Sequence, residues 1–185
     1  MRSTSDTDGW IVGSIGASKG YFSRVGSIYN DHKLIFVKIN DPGSGGTLTY
    51  SPGELLGADK DFNDRTEGSD LFAVRLPSGK YAFVASYFWQ NKGTAGTSEV
   101  YQSYADVLIF EVRPGITLYM GSFIASNEWP PGYPLRTVPG APSFTHYLRA
   151  ERDMPKLREK FGSLPVNAQA WIPERYNGYV MPAAH

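Results

Sequence analysis

The fold is read first from LFAVRLPSGKYAFVASYFW, Leu71 to Trp89. Leu71 to Leu76 has the apolar, β-branched character of a strand, and Pro77-Ser78-Gly79 supplies the residue types that reverse a chain. Lys80 to Trp89 then alternates with a period of two: Tyr81, Phe83, Ala85, Tyr87 and Trp89 on one face, Ala82, Val84, Ser86 and Phe88 on the other. A second unit of the same kind follows a polar linker at Gln90 to Ser103. Asp106 to Val112 and Ile116 to Ile124 flank Pro114-Gly115, which suits the central positions of a type II turn: proline presets φ and glycine accepts the positive φ that follows. The pattern predicts two successive hairpins.

Upstream, Trp10 to Ile15, Tyr21 to Tyr29, Lys33 to Ile39 and Thr47 to Tyr50 read as further short strands, with Asp41 to Gly46 as a loop between the last two. Ser51 to Asp70 is a long polar connection. Downstream, Glu128 to Ser143 carries five prolines and reads as an extended loop. One helix is expected near 153–162, with Asp153 as N-cap, Pro155 in the first turn, and Met154, Leu157, Phe161 and Leu164 at helical spacing. Gln169 to Ile172 suits a last strand and YNGYVMPAAH a flexible tail. Many short strands and one late helix indicate a single domain spanning 1–185, all-β, an antiparallel sandwich with one C-terminal helix.

Composition narrows the functions open to such a domain. The 18 basic side chains are matched by 18 acidic ones, so no bulk positive charge draws the chain to nucleic acid. There is no cysteine, which removes thiol nucleophiles, thiolate metal sites and disulfides. No stretch has the length and apolarity of a membrane-spanning helix.

The Leu-Pro-x-Gly-x-Tyr segment, Leu76 to Tyr81, and the later Pro-Gly turn leading to Tyr-x-Gly, Tyr119 to Gly121, resemble the immunoglobulin-like or transthyretin-like domain of small bacterial lipoproteins of uncharacterised role. RDMPKLREKF, Arg152 to Phe161, is similar to the Asp-rich helix that often closes such chains. The resemblance covers about half the chain. It implies a β-sandwich in the bacterial cell envelope or periplasm, anchored by an acylated cysteine upstream of Met1, with an envelope protein or a glycan as partner. It brings no catalytic motif.

Ser18 lies in Gly16-Ala17-Ser18-Lys19-Gly20, the pattern of a serine-hydrolase elbow, but that elbow needs a strand before it and a helix after it. The context here is strand-rich, and a glycine-rich hairpin loop is the simpler reading. His32 sits in an apparent turn after Asn30-Asp31, His185 ends the chain, and His146 lies in a strand; of these, His146 is the best-placed general base. Asp59, Asp61, Asn63 and Asp70 fall near the spacing of a calcium loop, although Asp64 stands where the loop wants glycine and Asp70 where it wants glutamate. Finally, Tyr87, Trp89, Trp129 and Tyr133 lie at strand ends or in proline-rich loops, where aromatics form platforms for sugar rings or apolar ligands. With no nucleophile, base and metal in one constellation, a non-enzymatic interaction or structural module of the envelope is expected. The alternative is a sandwich that binds a carbohydrate or small molecule through loop aromatics. No cofactor is expected apart from calcium at the acidic loop.

Overall fold

The computed structural model describes residues 7–18, 28–51, 60–91, 96–126, 142–162, 164, 168–172 and 174–176. They form two sheets packed face to face and one helix. The first sheet contains β1 (Asp8–Ser18), β4 (Phe62–Asn63), β5 (Glu67–Pro77), β8 (Thr117–Ser126), β9 (Ser143–Tyr147) and β10 (Ala168–Ala170). Its order is β10-β8-β1-β5-β4, with β9 sharing the outer edge of β8. The second contains β2 (Ile28–Lys38), β3 (Asp41–Tyr50), β6 (Gly79–Asn91), β7 (Thr97–Val112) and β11 (Glu174–Tyr176), in the order β11-β7-β6-β2-β3. The all-β sandwich with one late helix is as expected. The first sheet is mixed, since β8 runs parallel to both β1 and β10.

Neither of the two expected hairpins is one. The turn at Pro77-Ser78-Gly79 carries the chain from β5 in the first sheet to β6 in the second, and Pro114-Gly115 returns it from β7 to β8. Turn chemistry fixes only that the chain reverses; here each arm buries its apolar face against the other arm's sheet rather than pairing with it. Gly115 does take the positive φ of +66° that the turn requires. The hairpins that form lie elsewhere. β6 pairs with β7 over a ladder that reaches back to Thr97, through part of the expected polar linker, and β2 pairs with β3, which incorporates the expected loop at 41–46.

Side chains of both sheets meet in one core. Ile11, Ile15, Met120 and Phe123 from the first sheet pack on Leu34, Phe36, Tyr81, Phe83 and Phe110 from the second. The rings interlock edge to face, as in Phe36 against Phe83 at 6.0 Å and Phe83 against Phe123 at 5.4 Å. Trp171 plugs one open side. Its backbone N–H donates to Tyr119 O of the first sheet at 2.9 Å and its indole N–H to Ile109 O of the second at 2.8 Å.

Helix α1 (Ala150–Phe161) lies on the outer face of the first sheet, where Leu157 is enclosed by Val12, Leu71 and Tyr119, with Met154, Phe161 and Leu164 around them. The apolar spacing is as expected, but the start is not. The helix begins three residues before Asp153, no side chain caps it, and Pro155 falls one turn further inside. Glu151 and Asp153 in the first turn and Arg158 and Lys160 in the last suit the helix dipole. No helix among the described residues is long and apolar enough to cross a membrane. The expected loop at 128–143, apart from its last two residues, and the expected tail, apart from Tyr176 at the end of β11, lie outside the described residues.

Candidate functional site

The strand face that carries Tyr87 and Trp89 is decided by a bulge. Phe36 pairs with Phe83 and Ile35 with Ala85, so Val84 is an extra residue in β6. One inserted residue reverses the alternation. Tyr81 and Phe83 therefore point into the core, whereas Tyr87 and Trp89, expected on the same face, lie on the outer face; Phe88 turns inward instead. The register sets out that outer face in rows across the sheet. Thr49, Lys33, Tyr87 and Tyr101 form one row, and Asp31, Trp89 and Glu99 the next. Tyr101 is 54% exposed, and Tyr87 and Trp89 are partly exposed. The Lys33 ammonium lies 5.3 Å from the centre of the Tyr87 ring. Partial burial, followed by the nearby Glu99 carboxylate, raises the Tyr87 phenol above its usual pKa. Trp129 and Tyr133, the other two expected platform residues, lie outside the described residues. Tyr101 was hidden in sequence because its segment reads as a polar linker.

The densest polar cluster is elsewhere, under α1. Asp153 is 0% exposed. Its Oδ2 accepts from Tyr119 OH at 2.8 Å and lies 3.1 Å and 3.0 Å from the Ser14 and Ser122 hydroxyls, which are 2.6 Å from each other. Each serine has one proton, so one hydroxyl donates to the carboxylate and the other to its partner serine. Arg152 Nε donates to Asp153 Oδ1 at 2.7 Å, and its Nη2 reaches Ser14 at 3.1 Å and Ser122 at 2.9 Å. Glu67, also buried, is held by Arg152 and by Arg149, the latter at 2.5 Å. Two carboxylates thus face two guanidinium groups. Burial pulls the Arg152 pKa down, but its bonds to Asp153 and Glu67 outweigh this and hold it up. Burial, then the Asp153 carboxylate, pushes the Tyr119 phenol well above its usual range. The cluster is internally balanced and closed over, and it fastens the helix to the sheet. Asp153 is therefore an anchor beneath the helix and not its cap: the sheet hydroxyls draw its side chain inward, away from the helix N–H groups.

The hydrolase constellation does not assemble. Ser18 ends β1, pairs with Glu67 and points to the outer face, while His146 on β9 points to the core. Through the pairings Ile15 to Phe123 to His146, the two backbones stand about 14 Å apart. The His146 ring packs on Trp171 and Phe123, and its Nε2 donates to Met120 O at 2.8 Å. Burial lowers its pKa despite that bond. His32 is not in a solvated turn. It is fully buried within β2, stacked on Tyr50 and packed on Phe88 and Phe144, and burial lowers its pKa to about 4. His185 lies outside the described residues.

In the acidic loop, Asp59 lies outside the described residues. Asp61 Oδ2 accepts from Leu71 N at 2.7 Å and from Lys160 Nζ at 2.5 Å, and Asp70 pairs with Lys60 at 2.9 Å. Asp64 Oδ1 holds the turn by accepting from the Thr66 and Glu67 backbone N–H groups. Asn63 sits on β4. Among the described residues no group of three His, Asp or Glu side chains is arranged to hold a metal ion. Comparison with known proteins finds no match to a family model, to a curated protein or to a solved structure.

Proposed function

We propose that this chain is a non-enzymatic interaction module of the bacterial cell envelope that docks through the outer face of its second sheet. One observation carries the reading: Tyr87, Trp89 and Tyr101 lie together on a solvent face, ringed by Asp31, Lys33, Glu99 and Thr49. Aromatic side chains bring large, stiff contact area at low entropic cost, and their position outside the core serves no packing need of equal size. Among the described residues, five of the types that elsewhere perform catalysis have structural partners. His32 and His146 pack among rings, and Ser14, Ser122 and Asp153 are closed under the helix. The envelope location rests on the likeness of the Leu76–Tyr81 and Pro114–Gly121 segments to lipoprotein domains.

Co-sedimentation of the purified chain with washed bacterial envelopes tests the reading. The wild type is expected in the pellet, and the Trp89→Ala, Tyr101→Ala double variant in the supernatant, with at least a tenfold loss of bound fraction. Equal sedimentation of the two would exclude this face as the docking surface.

A further inference from the structure

The identity of what docks follows from the chemistry around Trp89, and rests on the reading that this face is the docking surface. We propose that it takes a sugar ring of a glycan, stacked on Trp89 and continued over Tyr101, with ring hydroxyls donating to Asp31 and Glu99. The register places Asp31 on β2 and Glu99 on β7 as the two cross-strand neighbours of Trp89. With strands about 4.8 Å apart, the two carboxylate-bearing backbones stand about 10 Å across the indole. A pyranose has this complementary form: a flat C–H face for an aromatic ring, and hydroxyls around its rim. Asp31 already accepts from the Ser51 hydroxyl and Glu99 from the Tyr87 hydroxyl; a carboxylate has about four lone-pair sites, so each keeps room to accept from a ligand that donates on two opposite sides.

The adjacent row limits the alternatives. Tyr87 is engaged by this chain's own groups, with Lys33 over its ring and its hydroxyl bonded to Glu99. The open ring of that row is Tyr101. A protein partner calls for a contiguous apolar centre with charge kept to the rim. Here charged side chains stand beside two of the three rings, with Lys33 next to Tyr87 and Asp31 and Glu99 on either side of Trp89. A polycation would match the two carboxylates but would meet Lys33 in the middle of the face. Neutral hydroxyls can use the acceptor sites the carboxylates still have and leave the ammonium a neutral oxygen to donate to.

Native electrophoresis of the full chain through gels cast with glycol chitin, hydroxyethylcellulose, xylan or mannan tests this directly, with a poly-lysine gel as the competing probe. Migration is expected to slow in at least one polysaccharide gel. Trp89→Ala and Glu99→Gln should each weaken that retardation at least tenfold. Glu99 is exposed and Gln has its shape, so this variant keeps the test valid even if Trp89→Ala lowers the melting midpoint. Free migration in all four polysaccharide gels, retardation indifferent to both substitutions, or retardation by poly-lysine alone would overturn the sugar assignment. Failure here with envelope sedimentation still lost in the double variant leaves the docking face standing with the wrong ligand. Failure of both assays removes both readings.

Discussion

Buried Asp153 accepts three hydrogen bonds, from Tyr119 OH, Arg152 Nε and one of the two serines, so removing its carboxylate leaves these donors beneath the helix without their acceptor. Breaking one side of a buried charged pair costs about 3–5 kcal/mol, whereas loss of one hydroxyl bond costs about 1–2 kcal/mol. Asp153→Ala should therefore destabilise far more than Ser14→Ala or Ser122→Ala, as read from urea midpoints at pH 7. His32 makes a second prediction, of pH dependence. Its folded pKa, about 4, lies below the unfolded value of 6.5. The unfolded chain thus takes the proton first, and stability falls as pH drops between those values and is flat above them. The loss by pH 4 is about 3 kcal/mol. His146 adds to it in the same direction. His32→Phe should flatten the slope without removing it, and an unchanged slope would contradict the assignment. Gly121 is constrained in another way. It has φ of +82°, and a Cβ there would stand 2.5 Å from His146 Nε2. Gly121→Ala should accordingly lower the melting midpoint.

At the scale of the element, the extra residue in β6 sets which rings face the solvent. Deleting Val84 would give a regular strand that keeps Phe83 and Phe88 inward and Tyr87 and Trp89 outward, because the bulge already takes Val84 out of the alternation. The deletion is expected to keep a native-like near-ultraviolet circular dichroism spectrum with a lower melting midpoint, since Val84 is buried; loss of the spectrum would show that the bulge does more than set the alternation. Helix α1 was legible from its apolar spacing because Met154, Leu157, Phe161 and Leu164 repeat with the helical period. Its start was not, since Asp153 has the chemistry of a cap and only the hydroxyls of two distant strands reveal its other use. Leu157→Ala, which removes the side chain at the centre of the helix–sheet contact, should cost about 2–5 kcal/mol. The bulge left no mark in sequence either: Val84 continues an apolar run in which both phases of alternation look equally good.

In the whole molecule, the sandwich class could be read from strand count and turn spacing, but the topology could not. Two tight turns that read as hairpins cross between sheets, because burial of both arms against a common core outweighs local pairing. Ser14 and Ser122 meet across 108 residues of sequence, and nothing local distinguishes a serine under a helix from a serine facing solvent. The same limit applied to the proposed binding face. Tyr87 and Trp89 could be picked out by residue type, whereas Tyr101 and the flanking Asp31 and Glu99 join them only through the β2–β6–β7 register. As proposed, the molecule divides into a core and helix side given over to structure and one sheet face given over to contact. Amide and indole chemical-shift mapping by NMR, during titration with the polysaccharide that retards the chain, tests that division most directly. Shifts are expected to centre on Trp89, Tyr101, Glu99 and Asp31 and to spare Ser14, Ser122 and Asp153. Shifts centred beneath the helix, with the Trp89 face unmoved, would contradict it.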